Sequence, residues 1–119
     1  MKVIGKPKDF GDIWDAWKML VEKIGPVGND FVIFSIKQRK QIRYFHARVA
    51  GNYIVVDRAK EHVETAQINR ERRIDFNQFR CVAQVYNKYI QGTEGIRPMM
   101  RDHCGQNNSY IISLIHHLL

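Results

Sequence analysis

Two short turn segments divide the first half of the chain into three β-forming segments, and this division restricts the fold more than any other feature of the sequence. The β-forming segments are residues 31–37, 41–49 and 53–57, and the turns between them are residues 38–40 and 50–52. Parallel neighbours need a crossover of a dozen or more residues, whereas antiparallel neighbours can be joined by a short turn. The pattern therefore predicts a three-stranded antiparallel meander.

A helical spacing of apolar residues precedes this β section. Residues 12–24 carry an apolar stripe that includes Trp14 and Trp17, so both tryptophans are expected in the core. Asp9 is the expected N-cap of this helix. Gly25 begins a Gly-Pro pair that is expected to end it.

The last third of the sequence also reads as helical. Asp75 and Gln78 are spaced for a capping box at the start of a helix, and Gly92 is expected to follow its end. A short helix is predicted over residues 99–104, and a final helix over residues 109–119. Two residues are candidates for the N-cap of the final helix, Asn107 and Asn108.

These elements define an α+β fold that occupies one domain over residues 1–119. It comprises an N-terminal helix, a three-stranded antiparallel meander and two to three C-terminal helices. Residues 59–74 fit either a short strand near residues 63–68 or a helix, so their structure stays open. A chain of 119 residues suits one domain with a hydrophobic core of its own.

The chain is strongly basic. It contains 19 Lys and Arg against 12 Asp and Glu, which gives a formal net charge of +7. An excess of this size favours an anionic partner, either nucleic acid or an acidic protein. The alternative interpretation is that the charge only keeps the protein in solution.

The expected compartment is the cytoplasm. The sequence shows neither the pattern of a signal peptide nor an apolar stretch long enough to span a membrane. Cys81 and Cys104 lie in different helical segments and are expected to be free thiols. No cofactor or metal is expected, because the paired spacing of zinc ligands and a phosphate-cradling glycine loop are both missing.

The candidate binding residues form two basic runs. Residues 31–56 contain five basic side chains and no acidic one, and a second run lies just before Asp75. Arg and Lys on a two-stranded ribbon neutralise phosphates, and nearby aromatic residues such as Tyr44, Phe45 and Tyr53 can stack on bases. The alternative is a hairpin edge protected by charge against aggregation. The two runs together are Lys37, Arg39, Lys40, Arg43, Arg48, Arg70, Arg72 and Arg73.

Three functions from different classes remain open. The first is nucleic-acid binding without catalysis, to DNA or RNA. The second is a homodimeric protein-interaction or small-ligand-binding module, which dimerises through the apolar surface of the first strand and the last helix. The third is a ribonuclease-like enzyme or toxin, in which Tyr44, His46 and Arg48 point from one face of a strand. Basic side chains on one face would favour the first function, and a concave apolar pocket would favour the second.

A helix-turn-helix is a further interpretation of the C-terminal segment. A short helix, Gly105 and a longer helix have the order of that motif. The sequence departs from the motif at Arg101 and Gln106, where a small and an apolar residue are usual. No basic residue other than histidine follows Arg101, so a DNA-reading final helix is the less favoured interpretation.

Overall fold

An antiparallel sheet with helices on one face forms the protein in the computed structural model, which describes residues 7–34 and 41–119. Within these residues the sheet has four strands in the order β1-β2-β3-β4. The elements in chain order are α1 (Ile13–Ile24), β1 (Asn29–Val32), β2 (Tyr44–Ala50), β3 (Tyr53–Arg58), β4 (Arg72–Ile74), α2 (Phe76–Ile90), α3 (Ile96–His103) and α4 (Asn108–Leu118). The predicted α+β class and the antiparallel meander are confirmed.

The first strand begins earlier and is shorter than the predicted segment 31–37. Gly28 adopts φ +74°, and a Cβ atom there would collide with the carbonyl oxygen of Ala47. Because Gly28 has no side chain, the backbone can come close to Ala47 there, and the pairing of β1 with β2 begins at the next residue, Asn29, opposite Ala47. The end of the predicted strand and the predicted turn at 38–40 lie outside the described residues.

The fourth strand comes from the segment whose structure the sequence left open. β4 pairs with β3, and Val55 lies opposite Arg73. Residues 63–68, for which the sequence left a short strand or a helix open, form only an isolated parallel bridge between Thr65 and Tyr44. Ala66 and Ile68 are nevertheless buried, so this segment contributes to the core without forming a strand.

Helix α1 differs from the prediction in its cap and in one tryptophan. Asp12, not Asp9, is the N-cap, because its side chain accepts a hydrogen bond from the Asp15 N–H at 3.0 Å. Trp17 is buried as expected, with 5% of its surface exposed, whereas Trp14 is 50% exposed. The prediction that both tryptophans lie in the core is therefore wrong for Trp14.

Helix α2 has the predicted ends. The Asp75 side chain accepts a hydrogen bond from the Gln78 N–H at 2.8 Å. At the other end, the Gly92 N–H bonds to the Tyr89 carbonyl and the Thr93 N–H to the Lys88 carbonyl. This pair of bonds is a Schellman motif, and Gly92 adopts the required positive φ of +70°.

A disulfide joins Cys81 on α2 to Cys104 at the C-cap of α3. The prediction of free thiols is wrong, because α3 folds back against α2 and brings the two Cα atoms to 5.4 Å. A disulfide is typical of proteins in oxidising environments. The expectation of reduced cytoplasmic thiols is corrected accordingly.

Helix α4 supplies much of the core. Its residues from Ile111 to Ile115 are all buried, and Tyr110 packs edge-on against Phe45, with ring centroids 5.2 Å apart. The buried hydroxyl of Ser113 accepts from the Phe34 N–H and donates to the Ser109 carbonyl. A helix with so little exposed surface does not suit the role of a helix that enters a DNA groove. The core also takes up apolar side chains of α4 that the homodimer hypothesis assigned to an interface.

In the part of the chain that the structure describes, no helix has the length and apolar character needed to cross a membrane.

Candidate nucleic-acid interface

The sheet has one face against the helices and one outer face. Side chains alternate along β2, so the buried residues Phe45 and Ala47 point to the helices. The residues between and after them, His46 and Arg48, therefore lie on the outer face.

Two of the predicted binding residues meet on this outer face. Val55 in β3 lies opposite Arg48 of β2 on one side and opposite Arg73 of β4 on the other. Residues opposite each other in an antiparallel sheet share a face, so the two arginines flank Val55. Val55 is only 3% exposed although it does not belong to the core cluster. The side chains of the two arginines themselves stay accessible, at 39% exposure for Arg48 and 64% for Arg73.

One carboxylate lies between the two guanidinium groups. Glu71 Oε2 is 3.6 Å from Arg48 Nη2, and Glu71 Oε1 is 4.0 Å from Arg73 Nη2. Exposed ion pairs of this kind contribute little, typically about 0–1 kcal/mol. Two guanidinium groups therefore share one weakly bound carboxylate. The three side chains together keep a net positive charge, which can attract an anion from solution.

An aromatic ring adjoins the arginine pair. The guanidinium carbon of Arg73 lies 5.6 Å from the centroid of the Tyr53 ring. Tyr53 is 41% exposed and lies at the start of β3, two residues before Val55 on the same face. We call Arg48, Arg73 and Tyr53 the outer-face patch.

Tyr53 of the outer-face patch also lines a cleft of about 560 Å³. Its walls come from α1, from the β2–β3 turn with Tyr53, and from the first turn of α2. The edge-to-face pair Trp14 and Phe76, with ring centroids 4.9 Å apart, lines one side, and Arg80 lies 5.8 Å from the Phe76 centroid. Sequence reasoning missed this site because it assigned Trp14 to the core and did not connect Phe76 with the β2–β3 turn.

The charges at the cleft are mixed. Lys18 and Glu22 line it from α1, and Asp75 lines it from the start of α2. Asp75 is already engaged in capping α2, and Lys18 forms an exposed pair with Asp15 at 3.3 Å. The amide side chains of Asn52 and Asn77 also line the cleft and supply hydrogen-bonding groups at its rim.

The other predicted basic residues do not join the outer-face patch. Lys37, Arg39 and Lys40 lie outside the described residues, so their part in binding stays a prediction. Arg43 donates a hydrogen bond to Gln41 Oε1 and lies about 17 Å along the chain from Arg48.

In the second basic run, the alternation of β4 separates Arg72 from Arg73. Arg72 lies opposite Val56, which is buried against the helices, so the two neighbours project to opposite faces. Arg70 is exposed in the segment before β4. Of the two predicted runs, the described part of the chain therefore brings only Arg48 and Arg73 together.

A buried carboxylate organises the other half of the outer face. Asp30 Oδ1 accepts from His46 Nδ1 at 3.0 Å and from the Lys60 N–H at 2.9 Å. Asp30 Oδ2 accepts from His62 Nδ1 at 2.9 Å and from the Glu61 N–H at 2.8 Å. Burial by itself would raise the pKa of Asp30, but these four hydrogen bonds hold that pKa well below its ordinary value. Asp30 thus fastens the 60–62 turn onto β1 and β2.

This arrangement argues against His46 as a catalytic base. His46 is 8% exposed, and its Nε2 atom lies 3.0 Å from the Val27 carbonyl oxygen while Nδ1 faces Asp30. Both ring nitrogens are engaged, so neither is available to a substrate. Tyr44 stacks on His62 at 3.6 Å between centroids, which adds to the same structural contact.

No cluster of metal-ligating side chains occurs among residues 7–34 and 41–119. Comparisons of the chain with protein-family models, curated proteins and solved structures find no match.

Proposed function

We propose that the protein binds nucleic acid through the outer-face patch. The observation that carries this proposal is the grouping of Arg48 and Arg73 beside the exposed ring of Tyr53. The arginines offer planar donors for phosphate oxygens, and the ring offers a stacking surface for a base. The net charge of +7 adds long-range attraction toward a polyanion.

The test is a salt titration of the wild type and of a double variant with Arg48→Ala and Arg73→Ala. On single strands each neutralised phosphate contributes about −0.7 to the slope of log affinity against log salt. The double variant should therefore bind more weakly to all sequences, with a slope shallower by about 1.4.

A second double variant, Arg97→Ala with Arg101→Ala, provides the matched control. Both arginines are exposed on α3, outside the outer-face patch, and their removal changes the net charge by the same two units. This control should leave the slope unchanged. A wild type that binds neither DNA nor RNA at low salt contradicts the proposal, as does a double variant of Arg48 and Arg73 that behaves like the control.

The cleft favours a second candidate function, the binding of a small aromatic ligand. Its volume of about 560 Å³ lies within the range of small-molecule sites, and Trp14 and Phe76 line it. Under this alternative, small aromatic compounds should quench Trp14 fluorescence equally in the wild type and in the double arginine variant. No quenching by such compounds would remove this candidate.

A further inference from the structure

We propose that the cleft beside the outer-face patch accepts one unpaired nucleobase, so that the protein selects single strands over duplexes. This inference rests on the proposed nucleic-acid binding and names its substrate class. It depends on how the aromatic walls of the cleft are exposed and on where the cleft meets the arginines.

The two tryptophans of α1 differ in burial, so one has a structural role and the other offers a surface for binding. Trp17 is buried, packing against Phe76 and Phe79, whereas Trp14 leaves half of its surface exposed at the cleft. Phe76 contacts Trp14 nearly perpendicularly, at an interplanar angle of 82°. The edge-to-face contact holds the indole in place, and the half of its surface that stays exposed is available to a flat aromatic partner.

Tyr53 connects the cleft with the cations. It lines the cleft, and it also lies under the Arg73 guanidinium on the outer face. A nucleotide has a flat base at one end and an anionic phosphate at the other. A base that enters the cleft past Tyr53 leaves its phosphate beside Arg73 and Arg48, so the two chemical halves of a nucleotide match two adjoining surfaces.

The charges at the cleft agree with this orientation. Arg80 lies over Phe76 and Arg73 over Tyr53, so a cation lies next to each of these two aromatic residues of the cleft lining. The charged side chains that line the cleft itself are Lys18, Glu22 and Asp75, so the lining carries one more negative than positive charge, and this balance disfavours a phosphate inside it. A neutral base inside and a phosphate outside satisfy both observations.

The substrate class follows from the geometry of nucleic acids. In a duplex each base is stacked and paired, and extracting it costs a few kcal/mol. A single strand already presents unpaired bases, so it can fill the cleft without this cost. The same cleft offers no reason to distinguish DNA from RNA.

The experiment compares four probes of one mixed sequence: single-stranded DNA, single-stranded RNA, the DNA duplex and the single strand with abasic sites in place of its bases. The wild type should bind either single strand more tightly than the duplex or the abasic strand. Trp14→Ala should weaken single-strand binding about 5- to 150-fold, which is the effect of losing one stacked base. On the abasic strand the same substitution should have no effect.

Met19→Ala is the matched control, because Met19 is an apolar residue on α1 with the same 50% exposure as Trp14 but lies outside the cleft. It should bind single strands as the wild type does. If Trp14→Ala fails to fold, Trp14→Phe and Tyr53→Leu carry the test. Trp14→Phe should retain most of the affinity and lose the fluorescence quenching that the oligonucleotide causes, and Tyr53→Leu should weaken single-strand binding.

Equal affinity for the abasic strand, equal affinity for the duplex, or wild-type binding by Trp14→Ala would each overturn the cleft proposal. The salt slope distinguishes this failure from failure of the proposed function. If the double arginine variant still gives a shallower slope, the outer-face patch binds phosphates and only the base site is wrong. If the wild type binds none of the four probes, both proposals fail.

Discussion

The guanidinium of Arg73 lies over the ring of Tyr53, on a different strand and 20 residues away in the sequence, and this contact links the outer face of the sheet to the cleft. Arg48 lies on the other side of β3 from Arg73, so both arginines lie on the outer face near the end of the cleft that Tyr53 lines. Tyr53 thus contacts β4 on the outer face and also lines the cleft that α1 and the start of α2 complete.

The Arg73–Tyr53 contact should matter more for binding than for stability. An exposed cation–π contact contributes about 0.5–1 kcal/mol. Tyr53→Leu should therefore lower the free energy of unfolding by no more than about 1 kcal/mol, as measured by urea denaturation. Its affinity for a single-stranded oligonucleotide should fall clearly more than that stability change implies, and equal losses would make Tyr53 a purely structural residue.

Removing the disulfide should destabilise the fold substantially. Cys81 and Cys104 are separated by 23 positions, and closing a loop of that size contributes about 3–4 kcal/mol. The double variant with Cys81→Ser and Cys104→Ser should therefore unfold at a lower urea concentration, with a free energy of unfolding lower by about 3–4 kcal/mol. Reductant should lower the stability of the wild type but not of the variant, and insensitivity of both would mean that the bond does not form.

Trp17→Ala should cost about 3–5 kcal/mol, because the side chain is buried among Phe76 and Phe79. Met19→Ala on the same helix should change the free energy of unfolding by less than about 0.5–1 kcal/mol. Denaturation of the two variants side by side checks the difference. If Trp17→Ala melts with the wild type, the assigned packing of α1 is wrong.

Asp30→Asn should destabilise the protein by about 3 kcal/mol at neutral pH, since it removes the buried charge that four N–H groups share. The folded-state pKa of Asp30 is depressed, so the stability it contributes is present above the unfolded-state pKa of about 3.9 and is lost as pH falls through the folded value. The gap between wild type and variant should therefore narrow below about pH 4. Urea denaturation over this range measures the gap, and a gap independent of pH contradicts the assignment.

Tyr86→Phe should stabilise the protein by about 1 kcal/mol at neutral pH, because the buried Tyr86 hydroxyl has no hydrogen-bond partner among the described residues. Burial, with a smaller contribution from Tyr89, raises the pKa of Tyr86 to about 12. A raised pKa means that stability is full below the unfolded-state value of about 10 and is lost as pH rises toward 12. Above about pH 10 the variant should thus keep more of its stability than the wild type. Thermal melts of both proteins at neutral pH and above about pH 10 measure these differences. A variant that is less stable than the wild type at neutral pH would mean that the hydroxyl does have a hydrogen-bond partner.

Local signals in the sequence were sufficient for most of the elements. Alternation and turn residues predict β2 and β3, and the Asp75–Gln78 spacing and Gly92 predict both ends of α2. These features depend on residues a few positions apart. β4 was not predicted because it has only three residues, and its pairing with β3 decides its structure.

The errors share one physical origin, which is long-range contact. The free-thiol prediction failed because nothing near Cys81 or Cys104 in the sequence shows that α3 folds back on α2. Trp14 fits the apolar stripe of α1 by spacing, but the stripe is wider than the surface that the core covers. In the same way, the basic runs were read as groups along the chain, whereas the sheet separates Arg72 from Arg73 and brings Arg73 toward Arg48.

The walls of the cleft come from three parts of the chain that are distant in sequence, and this has a thermodynamic consequence. An occupant that contacts α1, the β2–β3 hairpin and the start of α2 together finds no comparable surface on the unfolded chain. Its binding must then increase the free energy of unfolding, by about 2.7 kcal/mol at a hundredfold excess over Kd. The amides of all three segments should exchange their hydrogens more slowly when the cleft is filled. Hydrogen exchange therefore detects occupancy of the cleft even before the chemical identity of the occupant is known.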